Sequence, residues 1–175
     1  MASLQLQFPT LKFKSIGLDL SKDNAMEVIE KETKDLKINL VFNNAGYIKP
    51  GLFASLPIDT IMSNYHTNAT ITIKITHHYL NLMMLRKEKG LICFTGSSGG
   101  FIPGPMSSIY SSTKAWMTNF AVSLAAETAQ DGIDVLCIHP SPIASNFYEN
   151  ASSKIYFYNS RYECIENGKK DCCFT

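Results

Sequence analysis

Leu91-Ile92-Cys93-Phe94-Thr95-Gly96-Ser97-Ser98-Gly99-Gly100 passes from a short apolar run directly into small, hydrogen-bonding residues. An apolar run without polar alternation is the mark of a strand covered on both faces. The small residues after it make turns and leave room beside them. Two other segments have the same form: residues 38–42 run into Asn43-Asn44-Ala45-Gly46, and residues 133–138 into His139-Pro140-Ser141-Pro142. Between the runs lie stretches of helical character, 21–37 with Met26, Val28, Ile29 and Leu36 available for burial, and 107–129. Residues 11–18 read as a further short strand, so the order is β-α-β-α-β-α-β. That alternation predicts an α/β fold around a parallel sheet. Ligands of such sheets bind outside the carboxyl ends of the strands. Each small-residue segment alone is more simply a turn, but three of them on one sheet edge predict a crevice for a flat ligand.

One segment resists this pattern. Thr70-Ile71-Thr72-Ile73-Lys74-Ile75-Thr76 alternates polar and apolar residues as a half-buried strand does. The helical context on both sides, from 58 to 86, favours a helix there instead. The chain of 175 residues, 45% hydrophobic, is long enough for one sizeable core and too short for two domains. Its 16 basic and 15 acidic residues leave a charge of +1 with no basic stripe, which argues against a nucleic-acid partner. No stretch approaches the roughly 18 consecutive apolar residues of a membrane helix, and residues 1–14 lack the apolar centre of a secretory signal. Cys93, Cys137, Cys164, Cys172 and Cys173 are an odd number at irregular spacing, without the paired pattern of a zinc site. Reduced thiols, no metal and a cytoplasmic setting are the expectation.

Tyr110 and Lys114 stand four residues apart, and so on one face of the helix that follows the second buried run. A tyrosine with its ordinary pKa of about 10 exchanges protons poorly near neutrality, but an adjacent ammonium stabilises the phenolate. Tyr110 is thereby a candidate general acid or base. With eight tyrosines in the chain, the spacing alone would be an ordinary surface pair. Its position behind the small-residue edge gives it weight.

Asn43-Asn44-Ala45-Gly46, then Asn68, then Ser97, then Tyr110-Ser111-Ser112-Thr113-Lys114 resemble the short-chain dehydrogenase/reductase family in order and spacing, over about residues 11–147. The resemblance implies a Rossmann-like doubly wound parallel sheet, NAD or NADP as cofactor, and hydride transfer between it and a small-molecule carbonyl or alcohol. It implies Tyr110 as the catalytic acid/base, and Lys114 as the residue that lowers its pKa and binds the nicotinamide ribose. Ser97 would hydrogen-bond the reacting oxygen, with Ser98 as the fallback, and Asn68 would help hold a relay water. Asn43, Ala45 and Gly46 would line the cofactor crevice, and Asp19 and Leu20 would contact the adenine. Pro140, Ile143 and Ser145 would follow on the last strand, with Ser141 standing where the family usually has glycine.

The family opens with a glycine-rich strand-turn-helix that anchors the pyrophosphate, and nothing before Asp19 resembles it. The expectation is therefore a partial domain over 1–150 that lacks the first βαβ unit and the last strand. Residues 151–175 would be a tail or the remnant of a substrate-binding region, with Phe147, Tyr156, Phe157 and Tyr158 offering an apolar pocket for a lipid or steroid-like molecule. The alternative is a catalytically incompetent fragment or an interaction remnant. His77 and His78 lack ligand partners at metal spacing, and His139 is the better candidate for a substrate contact. Trp116 and the apolar 120–124 stretch of the Tyr110 helix would pack in the core or, as the resemblance implies, against a second copy.

Overall fold

A computed structural model describes residues 2–141 and 147, and three short strands near the C-terminal end. The elements are α1 (Ala2–Gln7), α2 (Ala25–Thr33), β1 (Leu40–Asn43), α3 (Ile58–Tyr65), α4 (Ile71–Arg86), β2 (Gly90–Thr95), α5 (Ser108–Thr128) and β3 (Ile133–Ile138). The last three, β4 (Tyr156–Tyr158), β5 (Cys164–Glu166) and β6 (Lys169–Asp171), form a separate antiparallel sheet. Strands β1, β2 and β3 pair in parallel in that order, with Phe42 beside Cys93 and Cys93 beside Leu136. The parallel α/β sheet expected from the three apolar runs is present, and β3 has the expected bounds.

One face of the sheet carries the core. Val41, Ile92, Phe94 and Ile133 point at Tyr79 and Met83 of α4 and at Met117, Ala121 and Leu124 of α5, all buried. The Phe94 ring meets Phe120 edge to face at 5.7 Å, a favoured aromatic geometry. The other face is open. Leu40 and Phe42 are 61% and 65% exposed, and Leu136 and Ile138 are 52% and 49% exposed. This corrects the reading of the runs as strands covered on both faces, because helices pack against only one side among the described residues.

Residues 11–18 do not form a strand. They run without regular structure, since a strand needs a neighbour for its backbone groups and, among the described residues, β1 pairs only with β2. Leu18 and Leu20 instead pack on Ala25, Met26 and Ile71. Helix α2 begins later than residue 21 because Asp19 holds a turn, its carboxylate accepting the Ser21 N–H at 2.9 Å. It ends earlier than residue 37, where Thr33 Oγ1 bonds back to the Ile29 carbonyl and lies 2.8 Å from Tyr79 Oη. The short helix α1 had no sequence signal.

The ambiguous segment 70–76 is helical, and its threonines explain the alternation. Thr72 and Thr76 are buried with Ile71, and Thr76 Oγ1 accepts Asn43 Nδ2 at 3.0 Å. Polar residues sit on the inner side because the end of β1 supplies a partner, so the polar-apolar pattern did not report which side faced inward. Between α3 and α4 the helix widens into a single π turn, His66–Thr70. Such turns are rare and concentrate at functional sites. No helix among the described residues is long and apolar enough to cross a membrane.

Candidate active site

The carboxyl ends of β1, β2 and β3 open into a cleft of about 340 Å³. Asn44, Ala45 and Gly46 line it from β1, Thr95, Gly96 and Ser97 from β2, Pro140 and Ser141 from β3, and Tyr110 and Lys114 from the start of α5. The three small-residue segments do converge, and the Tyr110 helix faces them. A second hollow beside Gly51 and Ser107 has about 10 Å³ of room, enough for about one water.

Ser97 caps a short 3-10 turn, its Oγ accepting the Gly99 N–H at 3.1 Å. Its hydroxyl also hydrogen-bonds the Tyr110 side chain. The fallback Ser98 uses its backbone N–H on the Pro140 carbonyl at 3.1 Å and does not line the cleft. That bond ties the Ser97 loop to the end of β3.

Burial pushes the Tyr110 phenol above its ordinary pKa, and the Ser97 hydrogen bond acts the other way. Lys114, expected to act on that hydroxyl, points its ammonium at the end of β2. Lys114 Nζ lies 5.7 Å from the centre of the Tyr110 ring and donates to the Thr95 carbonyl at 2.5 Å. Its ammonium is spent on the end of β2, over the face of the ring.

Lys114 is 4% exposed, and burial holds its pKa down to about 8, with a small opposing effect from Cys137. Folding below pH 8 therefore buries a charge that the unfolded chain keeps in water, a cost on the order of 3 kcal/mol. Between about pH 8 and the ordinary 10.5 the unfolded chain binds the proton that the folded chain has lost, so stability rises with pH. Lys114→Met is expected to remove this rise. Urea denaturation of both chains from pH 7 to 10 isolates the lysine, and parallel curves would show that Lys114 is not desolvated.

Asn68 is fully buried in the π turn. Its Oδ1 accepts the Tyr47 N–H at 3.0 Å and its Nδ2 donates to the Tyr47 carbonyl at 2.9 Å. The amide thus holds the turn after Gly46 instead of lining the cleft. Gly46 is needed at that point, because a Cβ there would meet Asn68 Oδ1 at 2.9 Å and Lys114 Nζ at 3.8 Å. Asn43 is buried on Thr76 and supports the wall from behind. Asn44 lines the cleft in its place, and its Oδ1 accepts Thr95 Oγ1 at 2.9 Å.

Asp19 and Leu20 do not line the cleft: Asp19 holds Ser21, and Leu20 packs beside Met26. Pro140 does line it, whereas Ile143 and Ser145 lie outside the described residues. Phe147 borders the cleft with its ring 5.9 Å from that of Tyr110, and the side chains of Tyr156, Phe157 and Tyr158 lie outside the description. His139 turns inward, its Nε2 2.9 Å from Thr118 Oγ1 and its ring against Phe101. It supports Gly96, whose missing Cβ would meet the imidazole at 2.9 Å. His77 pairs with Asn81, and His78 faces Glu30. Asn44, Thr95 and Gly96 belong to the small-residue segments expected to form the crevice, though the resemblance gave them no role of their own.

The family model described as short chain dehydrogenase matches residues 4–155. The chain belongs to the short-chain dehydrogenase family. Among relatives of this family, a very-long-chain 3-oxoacyl-CoA reductase of Schizosaccharomyces pombe is 31% identical over 77% of the chain and 42% of its own length. An uncharacterized short-chain type dehydrogenase/reductase of Sinorhizobium fredii is 34% identical over 67% of the chain and 48% of its own length. The chain thus spans less than half the length of these two relatives. Solved short-chain dehydrogenases share the fold. One from Sphingobium yanoikuyae in complex with NADPH superposes with a TM-score of 0.79 at 24% identity, over 86% of this chain and 59% of that one. A 7beta-hydroxysteroid dehydrogenase gives a TM-score of 0.79 at 19% identity, over 87% and 58%.

Proposed function

We propose that the protein interconverts a carbonyl and its alcohol with NAD or NADP as the hydride partner, on a lipid- or acyl-like substrate. The observation that carries this reading is that Tyr110, Ser97 and Lys114, from the two sides of the β2–α5 connection, meet in one cleft whose strand-end wall is built largely of small residues. A dinucleotide end fits there: Ala45, Gly46 and Gly96 leave room, Asn44 and Thr95 offer polar groups, and Lys114 supplies a cation. When bound, the cofactor supplies or takes up the hydride.

The chain's own residues handle the proton. In reduction the Tyr110 hydroxyl donates its proton to the carbonyl oxygen as the carbon gains the hydride, and the Ser97 hydroxyl holds that oxygen in line. Lys114 sits over the Tyr110 ring, where its charge stabilises the phenolate left after transfer. Asn68 contributes by fixing the Gly46 turn. Phe147 beside Tyr110, with Phe101 and Ile102 63% and 68% exposed, supports an apolar substrate. The same proposal places the protein in the cytoplasm and pairs two copies through α5, where Val122 is 68% exposed.

Titration of the purified chain with NADH and with NADPH, followed by cofactor fluorescence, tests the reading. Saturable binding of either is expected. A folded chain that binds neither would leave the cleft residues as inheritance in a catalytically incompetent fragment.

A further inference from the structure

Asn64 is 2% exposed in the last turn of α3. An amide buried there costs free energy unless its groups are hydrogen-bonded, and its partners are specific. Asn64 Nδ2 donates to the Tyr47 carbonyl at 2.9 Å, the same oxygen that Asn68 Nδ2 reaches at 2.9 Å. Asn64 Oδ1 in turn lies 3.5 Å from Asn68 Nδ2. The neighbouring Ser63 Oγ takes the far end of Tyr47, 3.2 Å from its hydroxyl. The residue that follows Gly46 is therefore held at its N–H, its C=O and its phenol by one stretch of helix.

We propose that Asn64 is a positioning residue that fixes the orientation of the Asn68 amide and, through it, the Gly46–Tyr47 wall of the cleft. The importance of that wall rests on reading the cleft as a cofactor site. An asparagine amide has two orientations related by a flip of its O and N atoms. With the Tyr47 carbonyl and Asn64 Oδ1 on one side and the Tyr47 N–H on the other, only one orientation of Asn68 pairs every group. The flipped amide would face two oxygens with its own oxygen and meet an N–H with its NH₂. In a buried network such mismatches are costly.

The orientation reaches the cleft directly. Asn68 Oδ1 occupies the space next to the Gly46 Cα, and Lys114 Nζ borders the same point. Removing Asn64 leaves the Tyr47 carbonyl with one donor and removes the neighbouring oxygen that helps to select the amide's orientation. The wall loosens on the side that would face the cofactor, while β2, held between β1 and β3, keeps its pairing.

The test compares the full-length chain with Asn64→Leu, Asn68→Ala and the double variant, by amide hydrogen exchange and by NADH and NADPH titration. In Asn64→Leu the Tyr47 amide is expected to exchange about tenfold faster, the weight of one hydrogen bond, while the Ile92 and Phe94 amides keep their rates. Cofactor affinity should fall in both single variants and no further in the double, because the two amides act as a unit. Unchanged exchange at Tyr47, exchange rising in step with Ile92 and Phe94, or additive losses of affinity would each overturn the assignment. If Asn64→Leu does not fold, Asn64→Ala is read in the same way. A wild-type chain that binds neither cofactor sinks the reading of the cleft, and the exchange pattern still decides whether Asn64 fixes the wall.

Discussion

Replacing Tyr110 by phenylalanine is expected to lower carbonyl turnover by about 10²–10⁴-fold, the contribution of a positioned acid or base, while cofactor affinity stays as it was. The substitution removes one oxygen and leaves the ring, which is what Phe147 and Lys114 touch. Ser97 keeps its Gly99 bond, so the loop that carries it has no reason to move. Because burial holds the phenol above its ordinary pKa, the protonated form dominates at neutral pH and serves reduction. Alcohol oxidation needs the phenolate and should quicken as pH rises. Steady-state rates of both chains on a generic aldehyde or ketone check this, and equal turnover would remove Tyr110 from the chemistry.

Phe94→Ala is expected to cost about 3–5 kcal/mol, the loss of transfer energy plus the cavity left behind. Phe94 is fully buried on the central strand, and its ring meets Phe120 of α5. Strand β2 carries the sheet side of the core, and among the described residues α4 and α5 supply the buried side chains that cover it. A domain of ordinary stability has about 5–15 kcal/mol in hand, so the variant should be marginal or unfolded at room temperature. Urea midpoints followed by circular dichroism give the number. A loss under about 1 kcal/mol, within the range of surface substitutions and conservative core swaps, would mean that the Phe94 layer is not the core.

The parts legible in the sequence were those set by short-range chemistry. Apolar runs ending in small residues located β1, β2 and β3, and the four-residue spacing of Tyr110 and Lys114 placed both on the cleft side of α5. What depended on distant partners was hidden. Residues 11–18 have strand-like content, but no strand among the described residues accepts their backbone. The alternation around Thr72 and Thr76 does not say which side faces inward until Asn43 is seen bonded to Thr76. Asn64 looks like an ordinary helix residue, and only its distance to Tyr47 gives it a role. Lys114 was expected to act on the Tyr110 hydroxyl, yet the nearest strong acceptor is the Thr95 carbonyl, which no spacing rule reports.

The open side of the sheet shapes how the described part of the chain responds to temperature. Leu40, Phe42, Leu136 and Ile138 already meet water with about half or more of their surface in the folded state, so melting adds less to their hydration than it would for buried strand residues. The heat capacity of unfolding follows newly exposed apolar surface and is typically about 12–15 cal/mol/K per residue. With one side of its sheet wet from the start, the described part of the chain has a smaller increment for its length. Its stability curve is correspondingly shallow, changing slowly from cold to warm and giving way over a broad range of temperature.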